Sequence, residues 1–140
     1  MECSVLELEP YSDWFATLGD DERARVLATV NVLRLKGFTL RFPLSSGLEG
    51  SSYGALRELR VQAGGSPIRI AYAFDPKRQA VLLLGGDKTG DGRFYERFVP
   101  QAETIWEAYL AYLKQEDEEK AKKDPGQPRK DARKKGDKRK

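Results

Sequence analysis

Basic side chains recur between residues 57 and 88 of this chain, on segments whose apolar pattern predicts β-strands. Arg57 and Arg60 lie in the first such segment, Arg69 lies in the second, and Lys88 directly follows the third. A guanidinium group can hold two phosphate oxygens at once and stays charged at any physiological pH. The predicted strands therefore carry the residue types that a phosphate-binding site requires.

The spacing of charged residues on the first two strands predicts which of them share a face. Arg69 stands between Ile68 and Ile70, so its side chain should lie on the face opposite theirs. Glu58 and Arg60 are two residues apart and should lie on one face of their strand. A carboxylate at Glu58 would either pair with an arginine or act as a general base, and the sequence leaves both readings open.

Composition excludes several classes of site. The chain has no histidine and one cysteine, Cys3, which excludes a Ser-His-Asp or Cys-His hydrolase and a cysteine-cluster metal site. The N-terminal residues lack the pattern of a signal peptide, and no stretch approaches the roughly 20 apolar residues of a membrane span. We therefore expect a soluble, cytoplasmic protein with no membrane partner.

The positive charge of the chain is concentrated at its C-terminal end. Residues 114–140 hold twelve Lys or Arg and seven Asp or Glu, a net charge of +5, so residues 1–113 carry −2 of the total of +3. Residues 114–140 also lack large apolar side chains, and such segments cannot offset the entropy of ordering. We expect one domain at 1–113 and a charged, disordered, solubilising tail at 114–140.

The apolar periodicity predicts an α+β fold. Short turns between the three central strands require that these strands be antiparallel neighbours. Pro100 is expected to begin a second helical segment or to kink the C-terminal helix. The predicted elements are a strand within 4–9, a helical turn near Trp14, a helix from Asp20 to Lys36, a long loop at 37–54, strands at about 55–62, 67–74 and 79–86, and a helical region from Phe94 to Leu113.

Three motifs follow one another on these strands. They are LRELRV at 56–61, IRIAYA at 68–73 and LLGGDKT at 83–89. In this order and spacing they resemble the RelE/ParE toxin superfamily, in particular its HigB-like, phage-derived branch. The resemblance covers residues 3–113. It implies an N-terminal strand, two helices, a three-stranded antiparallel meander and a C-terminal helix.

The resemblance also implies a function and its partners. A member would be the toxin of a type II toxin–antitoxin pair, neutralised by a small antitoxin, expected to be a helix-turn-helix protein. RelE-like and HigB-like toxins enter the ribosomal A site and cut messenger RNA without a metal or cofactor. ParE-like members act on DNA gyrase instead, and a third alternative is an inactive binding member.

The family's functional positions fall on residues of this chain. The resemblance implies catalytic roles for Arg60, Arg69, Lys88 and Tyr95, while Arg57 and Arg93 are candidate RNA-binding residues. In this chemistry the ribose 2′-OH attacks the adjacent phosphorus, and the protein must stabilise the phosphorane and move two protons. Glu58 departs from the pattern, since some relatives carry a basic residue at its position.

Overall fold

The computed structural model describes residues 1–123, which form three α-helices and a five-stranded sheet. This arrangement confirms the predicted α+β class, with one strand more than the predicted N-terminal strand and three-stranded meander. The chain divides into two compact units, residues 1–107 and a second unit that begins at residue 108. The elements are β1 (Val5–Glu7), α1 (Glu9–Ala16), α2 (Asp20–Lys36), a 3-10 turn (Gly37–Thr39), β2 (Ser45–Gly47), β3 (Arg57–Ala63), β4 (Ser66–Phe74), β5 (Ala80–Asp87) and α3 (Phe94–Lys123).

The sheet has the strand order β1-β5-β4-β3-β2. Strands β3, β4 and β5 form the predicted antiparallel meander, and β1 adds to β5 as a parallel edge strand. Strand β2 pairs antiparallel with β3 at the opposite edge. The meander is therefore central, and its residues are held by hydrogen bonds to a neighbouring strand on both sides.

Helices α1 and α2 cover one face of the sheet. Helix α1 packs on β5 and α2 packs on β3. Alternate residues of β3 and β4 point into this core, because successive side chains of a strand lie on opposite faces. The core includes Tyr11, Val26, Leu33, Leu59, Val61, Ile68, Ile70 and Tyr72.

The ends of α2 follow from its sequence. The backbone N–H of Gly19 donates to Glu22 Oε1 at 3.1 Å, which caps the first turn. Acidic residues occupy that first turn and Arg34 and Lys36 the last, the arrangement that the helix dipole favours. Gly37 ends the helix with a φ of 59°, a conformation that residues with a Cβ rarely adopt.

Two regions differ from the predicted elements. The expected loop at 37–54 contains the 3-10 turn and strand β2. Helix α3 continues through Pro100 and extends to Lys123, so the first ten residues of the predicted tail are helical. The rest of that predicted tail lies outside the described residues.

Within residues 1–123, no helix is both long enough and apolar enough to cross a membrane.

Candidate functional site

Two arginines lie directly opposite each other on the face of the sheet away from α1 and α2. Arg60 of β3 pairs in register with Arg69 of β4. Like charges at opposed positions of neighbouring strands repel each other. The carboxylate of Glu58 offsets this repulsion, because its Oε2 accepts a hydrogen bond from Arg60 at 3.0 Å and lies 4.0 Å from Arg69 Nε.

Glu58 is the centre of this cluster. It is 2% exposed, and it accepts hydrogen bonds from Tyr95 Oη at 2.7 Å and from Ser46 Oγ at 3.3 Å as well as from Arg60. A buried carboxylate is tolerated when it is paired and hydrogen-bonded in this way. Glu58 therefore forms an ion pair with Arg60 and accepts a hydrogen bond from the Tyr95 hydroxyl.

Arg69 is the most buried cation of the cluster. It is 6% exposed, and one of its terminal nitrogens donates to the carbonyl oxygen of Ile68 at 3.1 Å. Its Nε has no hydrogen-bond partner within the described residues and lies 4.0 Å from Glu58 Oε2. The residue that the sequence favoured most for a direct role thus lies beneath the site and not on its open surface.

Tyr95 and Lys88 form the second half of the site. Tyr95 stands in the first turn of α3, and Lys88 Nζ lies 5.2 Å from the centre of its ring. Burial and the hydrogen bond to Glu58 raise the pKa of Tyr95 to about 12. The phenol is therefore protonated at neutral pH and holds its proton towards Glu58.

The loop after β5 fixes the position of Lys88. Its backbone N–H donates to the carbonyl oxygen of Pro67 at 3.1 Å, which ties it to the start of β4. The next turn is closed by Asp87, whose Oδ1 accepts the backbone N–H of Thr89 at 2.9 Å. Lys88 consequently stands at the sheet end with its backbone held while its side chain stays partly exposed.

An aromatic residue that the sequence analysis did not select completes the rim of the site. Phe42 is 72% exposed, and the Arg60 guanidinium carbon lies 5.5 Å from the centre of its ring. Its place beside Arg60 depends on the pairing of β2 with β3. In the sequence, Phe42 precedes a proline in a Gly- and Ser-rich stretch. No pattern in that stretch predicts that its ring lies near Arg60.

Two predicted RNA-binding residues do not join the cluster. Arg57 lies on the opposite face of β3, where its Nε donates to Ser45 Oγ at 3.2 Å and lies 3.4 Å from Tyr72 Oη. Arg93 is exposed in the turn before α3, where its backbone N–H donates to Asp91 Oδ1 at 3.0 Å. The carboxylate of Asp91 forms an ion pair with Arg97.

The site has a clear electrostatic character. Three cations, Arg60, Arg69 and Lys88, surround one carboxylate, Glu58, and one protonated phenol, Tyr95. The local net charge of +2 offers preorganised positive groups to an anion, although residues 1–113 as a whole are slightly acidic. Groups fixed before reaction are the most effective at stabilising charge that develops in a transition state.

Comparison with known proteins gives concordant matches. Residues 13–107 match the family described as "Phage derived protein Gp49-like (DUF891)". Two curated relatives come from Mycobacterium tuberculosis (strain ATCC 25618 / H37Rv). "Putative toxin HigB3" is 39% identical over 77% of this chain and 94% of that protein. "Putative toxin HigB2" is 31% identical over 86% of this chain and 61% of that protein.

A solved structure, the RelBE2 toxin–antitoxin complex of Mycobacterium tuberculosis, aligns with 62% of this chain and 99% of the matched chain. Its TM-score is 0.41 and its sequence identity is 16%. The family match and the HigB3 match both cover well over half of the present sequence, and they include every residue of the cluster. The chain therefore belongs to the phage-derived Gp49-like family, in agreement with the HigB-like, phage-derived branch that its motifs resemble.

Proposed function

We propose that this chain is the toxin of a type II toxin–antitoxin pair and acts in the cytoplasm by cutting messenger RNA on the ribosome. One observation carries the proposal: three cations converge on the hydrogen-bonded pair of Tyr95 and Glu58 on one face of the sheet. Its relatives are named toxins. We further propose that a small helix-turn-helix antitoxin neutralises it.

The cations divide between phosphate binding and support. Arg60 has about a third of its side chain exposed, whereas only 8% of the Arg69 side chain is exposed. Arg60 and the partly exposed Lys88 can therefore meet the scissile phosphate, and their charge would stabilise the phosphorane. Arg69 holds Glu58 from below. It acts as a positioning residue, which revises the direct catalytic role that the resemblance implied for it.

Tyr95 and Glu58 supply a route for the nucleophile's proton. The 2′-oxygen forms a bond to phosphorus and its proton passes to the Tyr95 oxygen, while the phenol proton moves to Glu58 over the 2.7 Å hydrogen bond. The bond from phosphorus to the 5′-oxygen breaks, and Lys88 donates a proton to that oxygen. The products are a 2′,3′-cyclic phosphate and a free 5′-hydroxyl.

A reconstituted translation reaction tests the proposal. We expect the full-length chain to cut ribosome-bound message, and we expect Arg60→Ala and Lys88→Ala each to lower the cleavage rate by at least tenfold, since general acid–base and charge stabilisation each contribute factors of about 10² or more. Lys77→Ala removes an exposed lysine from the turn between β4 and β5 and serves as the matched control.

The same reaction separates the alternatives. Intact message together with inhibited supercoiling by gyrase would contradict the nuclease and support a ParE-like action. Intact message and active gyrase would indicate an inactive binding member. If Lys88→Ala and Lys77→Ala lowered the cleavage rate equally, the assignment of Lys88 to the site would be wrong.

A further inference from the structure

Phe42 is a large aromatic residue that is exposed to solvent at the rim of the site, beside Arg60. The residue is 72% exposed, more than any other large apolar residue described. Burial of a phenylalanine side chain is favourable by about 2 kcal/mol, so an exposed ring gives up stability. Nothing in the cleavage chemistry proposed above uses it.

The backbone around Phe42 is held in place. The N–H of Ser45 donates to the carbonyl oxygen of Arg41 at 3.2 Å, closing the turn that contains the ring. The N–H of Arg60 donates to the carbonyl oxygen of Leu44 at 2.8 Å, which ties this turn to β3. The ring is thus presented by an anchored turn, and the entropy lost on binding a ligand against it is small.

Phe42 also belongs to a repeated arrangement. The Arg60 guanidinium lies 5.5 Å from the Phe42 ring centre, and Lys88 Nζ lies 5.2 Å from the Tyr95 ring centre. Arg60 is also hydrogen-bonded to Glu58. The Phe42 ring and the carboxylate at the centre of the site therefore lie beside the same guanidinium group. A phosphate between Arg60 and Lys88 would have an aromatic ring beside each of its two cations.

We propose that Phe42 is a stacking platform for a nucleobase next to the scissile phosphate. Single-stranded RNA exposes both faces of its bases, and proteins hold such bases by stacking them on aromatic side chains beside cations that bind the backbone. Phe42 has no hydrogen-bonding group, so it contributes binding and positioning without selecting one base. This role depends on the proposed function and adds a positioning residue to it.

Fluorescence of 2-aminopurine gives a direct test. The probes are short single-stranded 2′-O-methyl RNAs, each with one 2-aminopurine, and they cannot undergo 2′-OH attack. We expect the full-length protein to quench the fluorophore at one position along the strand. Phe42→Ala should abolish that quenching and weaken binding about 5- to 150-fold, the range that corresponds to loss of one stacked base. Phe42→Trp should retain both.

The chain offers a matched control. Phe38 is 56% exposed in the 3-10 turn, and Phe38→Ala should bind and quench like the unchanged protein. Unchanged quenching in Phe42→Ala would overturn the inference, as expected for a ring that contacts a protein partner. The inference would also be overturned if the unchanged protein did not quench the fluorophore. It would equally be overturned if Phe42→Ala and Phe38→Ala lost the same amount of quenching and binding.

Cleavage assays distinguish a failure of the stacking role from a failure of the proposed nuclease activity. If Arg60→Ala abolishes cleavage while Phe42→Ala binds and cleaves normally, the stacking role fails and the nuclease stands. If the unchanged protein leaves ribosome-bound message intact, the nuclease fails, and the quenching series still decides whether Phe42 stacks on RNA. For a stacking residue we expect Phe42→Ala to raise KM more than it lowers kcat.

Discussion

At the scale of single residues, Glu58 determines how three cations share one face of the sheet. Without its carboxylate, Arg60 and Arg69 would face each other across β3 and β4 with no negative charge between them. With it, Arg60 makes a 3.0 Å ion pair and Tyr95 gains an acceptor for its hydroxyl. One acidic side chain therefore sets the positions of groups from two strands and a helix.

Glu58→Gln tests this role because glutamine keeps the shape and removes the charge. We expect the free energy of unfolding to fall by about 2 kcal/mol, since hydrogen bonds to a buried charged group contribute about 1.5–3 kcal/mol. Urea denaturation at neutral pH measures the change. Glu49→Gln, an exposed acid in the loop after β2, is the control and should leave the denaturation midpoint unchanged. A similar midpoint for both variants would contradict the role.

At the scale of elements, consecutive glycines at the end of β5 let helices approach both faces of the sheet. A Cβ on Gly85 would lie 2.3 Å from the ring of Trp14 in α1. A Cβ on Gly86 would lie 2.8 Å from the ring of Phe94 in α3. The space that a Cβ would need at each glycine is therefore occupied by an aromatic ring of a helix.

Gly85→Ala should therefore separate β5 from α1. The new methyl group overlaps several atoms of the Trp14 ring, and overpacking of this kind costs about 1–3 kcal/mol. Thermal or urea unfolding measures the loss. Gly54→Ala has no atom within 4 Å of its added carbon and serves as the control. If Gly85→Ala unfolds at the same midpoint as the unchanged protein, the close packing of Trp14 on β5 is contradicted.

At the scale of the whole molecule, the sequence predicted the parts whose signals are local. Apolar alternation located the meander and placed Arg60 and Arg69 on strands that pair. Strand β2 was missed because Ser-Ser-Gly has no strand-forming residues, and the position of Phe42 depends on that strand. The helix at 114–123 was not predicted, because this segment lacks large apolar residues. Its lysines and glutamates have a high helix propensity, which favours the helix that the structure shows.

Alkaline pH should weaken the whole fold through Tyr95. Its pKa is about 12 in the folded protein and near 10 when unfolded, so the folded state binds more protons between these values. Its contribution to stability is complete below pH 10 and is lost as the pH rises towards 12. Tyr95→Phe has no phenol to ionise. We expect this variant to have a lower free energy of unfolding than the unchanged protein, by an amount that is constant from pH 8 to pH 9.5. By pH 11 the difference should be smaller, because the unchanged protein has then lost part of the contribution of Tyr95. Urea titrations at these pH values measure the difference, and a deficit that stays constant to pH 11 would show that Tyr95 is not held protonated against Glu58.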